Sequence, residues 1–135
     1  MIYIGIDPGT HTGFAVWDSN ERKFLSVETI LIHQAFIKIL ALRDEHPGMI
    51  IFIEDARRVS RSGEEERARI QGAGSIKRDC SIWEDFCEDF GILYRFMRPG
   101  RGTTKMNPDY FKSLTGWKHR TSNHARDAAM LVFGR

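Results

Sequence analysis

Two periods of apolar spacing divide the chain. Ile2 to Ile6 is a short β-branched run that ends in Asp7-Pro8-Gly9, the pattern of a buried strand broken by a turn. Gly13 to Trp17 reads as a second strand, Asp18-Ser19-Asn20 as a turn, and Lys23 to Thr29 as a third strand, which together predict an antiparallel meander. From His33 to His46 the spacing changes to that of an amphipathic helix, with Phe36, Ile37, Leu40 and Ala41 as its apolar face and Pro47-Gly48 as its end. Met49 to Ile53 is then a continuous apolar run bounded by Glu54-Asp55, as expected of a strand covered on both faces.

The second half of the chain alternates helix and strand. After a loop rich in arginine and serine, the stretch 63 to 90 carries apolar residues at 70, 73, 76, 80, 83, 87 and 90, predicting a helix nearly 40 Å long at about 1.5 Å per residue. Gly72 and Gly74 each weaken such a helix by about 1 kcal/mol relative to alanine. Their presence predicts close packing on the sheet, with a subunit contact as the alternative. Ile92 to Met97 reads as a fifth strand and Asn107-Pro108 as the start of a short helix. Ser122-Asn123 caps a last helix with Ala125, Ala128, Ala129 and Val132 on one face. Three strands followed by helix, strand, helix, strand, helix define an α/β sheet whose later strands run parallel to the first.

Composition narrows the class. A hydrophobic fraction of 41% with 28% charged residues excludes a disordered chain, and 135 residues suit one domain over 1–135. No run approaches the ~20 apolar residues that span a bilayer, and the N-terminus lacks the features of a signal peptide, so a soluble cytoplasmic protein is expected. Cys80 and Cys87 lie two turns apart on one helix face, too far for a disulfide, and are expected as reduced core residues. The net charge is only +2, but between Arg95 and Arg126 eight lysines and arginines face a single acid, Asp109. This third of the chain is expected to form a basic surface.

The chemistry is expected at one sheet edge. If the first and fourth strands pair in parallel, Asp7 and Glu54 reach the same edge, where open α/β sheets place their sites. His124 and Asp127, at i and i+3 on the last helix, share a face. Singly, Asp7, Glu54 and His124 have plainer roles as turn, cap or surface residues, whereas a lone Asp127 carboxylate on an alanine-rich face would be costly without a partner or an ion. Together they form a set suited to hard cations such as Mg²⁺, with the imidazole more favourable to Mn²⁺. Two ions about 4 Å apart would activate water and stabilise the leaving oxygen of a phosphodiester.

Ile4-Gly5-Ile6-Asp7-Pro8-Gly9-Thr10 with Gly13-Phe14-Ala15-Val16 resembles the opening motif of RuvC-type Holliday junction resolvases. Phe52-Ile53-Glu54-Asp55 resembles their second acidic strand end, and His124-Ala125-Arg126-Asp127-Ala128-Ala129 their C-terminal helix motif. The resemblance covers nearly the whole chain in the right order. It implies an RNase H-like fold with a five-stranded mixed sheet flanked by helices, Asp7, Glu54, His124 and Asp127 as metal ligands, and a homodimer that nicks four-way DNA junctions symmetrically. The helix over 63–90 stands where the family has its dimer helix. The short chain is more similar to compact phage-encoded members, which widens the expected range of branched substrates.

In that setting Arg57, Arg58 and Arg61, following Glu54, and Arg98, Arg101, Lys105 and Lys118 are expected to contact DNA phosphates. Lys118 is also a candidate for stabilising charge at the scissile phosphate. Phe96, Trp117 and Tyr110 are expected in the core, with stacking on an unpaired base as the alternative. Three other readings compete. An actin-like or sugar-kinase-like ATPase shares the Asp-x-Gly-Thr element but needs two domains. A YqgF-type RNA-processing nuclease usually differs where Pro8 stands. A non-catalytic nucleic-acid-binding module has no need of all four candidate ligands.

Overall fold

The computed structural model describes residues 1–55, 57, 64–99 and 106–135, with backbone alone over 64–73. Its elements run β1 (Ile2–Asp7), β2 (His11–Asp18), β3 (Lys23–Leu31), α1 (Ile32–Glu45), β4 (Ile50–Glu54), α2 (Glu64–Asp89), β5 (Leu93–Met97), α3 (Pro108–Thr115) and α4 (Asn123–Met130). The strands form one sheet in the order β3-β2-β1-β4-β5. β1, β2 and β3 are the antiparallel meander, and β4 and β5 add in parallel beside β1. This is the expected mixed sheet, with every element of the sequence pattern in place.

The sheet divides two apolar layers. Ile4 and Ile6 of β1, Phe14 and Val16 of β2, and Ile51 and Ile53 of β4 face α1 and α2, where they meet Ala35, Ile39, Trp83 and Phe86. Ala15, Trp17, Phe24 and Phe52 face the other way, against Phe111 of α3 and Ala125, Ala128 and Ala129 of α4. Side chains alternate between faces along each strand, so a run such as Ile51-Phe52-Ile53 supplies both layers.

The helix starts follow their capping residues. Asn107 accepts from the Tyr110 N–H at 2.8 Å with Pro108 in the first turn, and Ser122 accepts from the Ala125 N–H at 3.1 Å. Gly116, at φ 75°, ends α3 in the left-handed conformation that glycine adopts without strain.

Four expectations are corrected. On α1 the buried residues are Ala35 and Ile39, with Phe36 and Leu40 half-buried, whereas Ile37 is 66% exposed and Ala41 is also outside. The stripe runs one position away from the predicted face, because adjacent apolar residues fit either of two neighbouring rows. Among the described side chains of α2 only Cys80, Trp83, Phe86 and Cys87 are buried, Ile76 and, just past the helix end, Phe90 are exposed, and positions 70, 72 and 73 lie outside the described side chains. A 26-residue helix beside five-residue strands outruns the sheet by about half its length. Gly74 therefore stands exposed with nothing within 4 Å of a Cβ placed on it, and does not mark a helix-on-sheet contact. Tyr110 is exposed, whereas Phe96 and Trp117 are half-buried against the two layers.

The thiols behave as expected: Cys80 and Cys87 are both buried. Burial pushes the Cys87 thiol up to about 12, with the nearby Glu88 charge adding to the effect. Among the described residues, no helix is long and apolar enough to cross a membrane.

Candidate active site

The register of the sheet places the first two carboxylates. β1 and β4 pair in parallel with Ile6 opposite Ile53, so Asp7 and Glu54 occupy the next step at the carboxyl ends of adjacent strands. Neighbouring strands lie about 4.8 Å apart. Alternation decides the face: Tyr3 of β1 and Ile50 and Phe52 of β4 pack on the α4 side, and Asp7 and Glu54 continue those rows. Both acids are the last residues of their strands and do not lie beyond them, because a carboxylate side chain leaves backbone pairing intact.

The last helix is brought down onto this edge by glycine. A Cβ placed on Gly5 would lie 2.0 Å from the Ala128 carbonyl oxygen, and one on Gly13 would lie 2.0 Å from the His124 carbonyl oxygen. No side chain fits at either place, so the α4 backbone lies directly on β1 and β2. Gly13 is the partner of Asp7 across the meander. The helix start is held by the Ser122 cap, whose hydroxyl also bonds the hydroxyl of Thr29 on β3.

The result is a direct contact between the chain's two ends of the motif. His124 Nδ1 lies 2.7 Å from Asp7 Oδ2, with Asp7 only 9% exposed and the histidine ring at the surface. An ionised carboxylate only accepts hydrogen bonds, so the imidazole donates through Nδ1–H and keeps Nε2 as its other nitrogen. Asp127, half-buried, follows one turn along the same helix. Asp7, Glu54 and Asp127 all have interaction partners. Among the described residues, no three histidine, cysteine or carboxylate side chains are gathered tightly enough to cage an ion. Their chemistry nevertheless suits a hard cation: carboxylate oxygens at adjacent strand ends, joined by an imidazole and a carboxylate on one helix turn.

The basic residues divide. Arg98 and Lys118 are exposed, Lys118 in the segment between α3 and α4 beside Trp117 and His119, whose rings are 5.1 Å apart. Arg58, Arg61, Arg101 and Lys105 lie outside the described residues. Arg57, itself at the surface, is engaged by its own chain: its Nε donates to Asp55 Oδ1 at 2.7 Å, its Nη2 to Asp55 Oδ2 at 3.1 Å, and its guanidinium covers the Phe96 ring at 4.7 Å. The hydrogen bond to Asp55 raises the Arg57 pKa further above its ordinary value.

Three features escaped the sequence. Asp55, read only as a strand boundary, is 1% exposed; besides its fork to Arg57, its N–H donates to the Met97 carbonyl at 2.7 Å, so it fixes the turn that leaves Glu54. Arg126, counted with the basic surface, is buried. Gly5 and Gly13 set the height of α4, and their only sequence signal was two glycines within otherwise apolar strands, which marks close backbone approach.

A mixed five-stranded sheet of this order, with an acid ending β1, an acid ending β4 and a C-terminal helix bearing ligand-type residues over that edge, defines the RNase H-like fold. Two solved structures share it closely. A RuvC from Thermus thermophilus in complex with a Holliday junction substrate superposes with a TM-score of 0.66 at 15% identity, covering 97% of this chain and 90% of that one. A second Thermus thermophilus RuvC structure gives 0.65 at 16% identity, over 97% and 91%. No protein-family model and no curated protein sequence matches the chain.

Proposed function

We propose that this chain is a divalent-metal-dependent endonuclease for branched DNA, which nicks four-way junctions symmetrically as a homodimer. The observation that carries the reading is the Asp7–His124 contact at the edge where Glu54 also ends, on the fold of a RuvC solved with a Holliday junction substrate.

Asp7, Glu54, His124 and Asp127 would hold Mg²⁺ or Mn²⁺, two ions to a site. When bound, the ions supply an activated water and charge stabilisation for the leaving oxygen. The chain's own contribution is placement. Adjacent strands bring two carboxylates together, whose repulsion favours a cation between them. Asp7 accepts a hydrogen bond from His124 Nδ1–H and so fixes the tautomer and the ring. Arg98 and Lys118, with Arg58, Arg61, Arg101 and Lys105, neutralise phosphates along the DNA, Lys118 being assigned to the scissile one. Arg57 is left out of this group because Asp55 and Phe96 engage its guanidinium. The part of α2 that outruns the sheet, including exposed Ile76, supplies the dimer contact.

The test offers synthetic four-way junctions, flaps, linear duplex and RNA to the wild type and to Asp7→Asn, with Mg²⁺, Mn²⁺ or EDTA. Paired nicks at symmetric junction positions are expected, lost in EDTA and reduced about 10²-fold or more in Asp7→Asn with junction binding retained. Cleavage that survives EDTA, no cleavage of any branched DNA, or a preference for RNA would sink the proposal.

A further inference from the structure

Arg126 lies between His124 and Asp127 in sequence, yet it is only 5% exposed. Its Nε donates to the Met106 carbonyl at 2.8 Å. Nη1 donates to the Thr121 carbonyl at 2.7 Å and to the Thr121 hydroxyl at 2.9 Å, and Nη2 to Asn123 Oδ1 at 2.5 Å. All four acceptors are neutral. Burying a cation is costly unless its donors are satisfied, and among the described residues no carboxylate pairs with Arg126, the compensation coming from charge-assisted hydrogen bonds. A methionine or leucine of similar size would fill the same space without that cost. The placement of the acceptors gives the cation a use.

Thr121 precedes the Ser122 cap and Asn123 opens α4, so the guanidinium grips the chain on both sides of the point where the helix begins. Met106 ties the same group to the residue before the α3 cap. A guanidinium is planar and its donors point in fixed directions, so these bonds set the angle at which the chain enters α4. His124 is the next residue after Asn123. Its ring is half outside the protein, and its one hydrogen bond among the described residues is to Asp7. A side chain so lightly held takes its position from the turn that bears it, and the first turn of a helix is where fraying begins.

We propose that Arg126 is the positioning residue for the Asp7–His124 pair: it locks the first turn of α4 so that the imidazole meets the carboxylate. Its hydrogen bonds among the described residues go to Met106, Thr121 and Asn123, so it acts on the pair through the turn that carries His124. The activity arm of the test rests on the nuclease reading above, and the spectroscopic arm does not.

Arg126→Lys keeps the charge and loses the fork, and Asn123→Ala removes one acceptor while leaving Arg126 itself. For both, the ring nitrogen and carbon-bound proton shifts of the histidines are followed by NMR at one pH in metal-free protein, and junction cleavage is measured with saturating Mg²⁺. In Arg126→Lys the His124 ring signals are expected to move toward those of an unpaired histidine while His33 and His46 stay fixed. The kcat should fall about tenfold or more with KM within about twofold. Asn123→Ala should move the same signals less, and it carries the test alone if Arg126→Lys does not fold. Unchanged His124 signals in the folded variants overturn the proposal, as does loss of activity merely in proportion to the unfolded fraction. If wild type cuts nothing while the His124 signals shift as described, the nuclease reading fails and the positioning role stands.

Discussion

The two faces of the sheet are built to opposite rules. Toward α1 and α2 the helices stand off on large side chains, with Ile4, Ile6, Ile51 and Ile53 meeting Trp83, Phe36 and Phe86, whose rings stack or meet edge to face at 4.3 to 6.0 Å. Toward α4 the layer thins to nothing at two points, where glycine lets backbone rest on backbone. A thick layer can repack around a lost methylene; a contact set by main-chain atoms cannot. The short side chains of Asp7 and His124 could not meet across the thick layer, and that is why the candidate chemistry lies on the thin one.

This contrast can be broken in three ways, in order of expected effect on stability. Trp83→Ala empties the centre of the thick layer and should cost about 3–5 kcal/mol, read from denaturant unfolding. Cleavage per folded molecule should survive. Loss of specific activity in the folded variant would show that the thick face also shapes the site. Gly13→Ala forces a Cβ into the His124 carbonyl and should cost about 1–3 kcal/mol as α4 lifts. Here specific activity should fall at least tenfold even where the protein is fully folded. A Gly13→Ala protein that cuts at the wild-type rate would detach the close approach from the chemistry.

The smallest effect concerns Cys87, within the thick layer. Its folded pKa of about 12 lies above the ordinary 9.0, so the native state keeps a proton that the unfolded chain releases. The sign follows: stability is unaffected by this group below pH 9 and falls as pH rises from there toward 12. At pH 8 the native thiol should resist an aqueous alkylating reagent and react at full rate only on unfolding. Fast labelling of native Cys87 would mean that the thick layer opens more readily than its packing indicates.

Strand order was legible because each strand is an apolar run between turn residues, and helix starts because Asn107-Pro108 and Ser122 carry capping chemistry. The placement of Asp7 and Glu54 at one edge followed from parallel pairing alone. Other features were hidden for identifiable reasons. The α1 face slipped because Phe36-Ile37 and Leu40-Ala41 are adjacent apolar pairs, and only the position of the sheet selects between them. Gly74 was misread because a helix pattern does not reveal where its supporting sheet stops. Arg126 and Asp55 were misjudged because sequence counts a charge without showing its direction, and both point inward to partners set by the fold.

The Asp7–His124 bond joins residues 117 positions apart. On a ribosome, the strand bearing the carboxylate emerges long before the helix bearing the imidazole, and the meander can form while its thin face still waits for a cover. The candidate site therefore exists only once α4 has closed over β1 and β2.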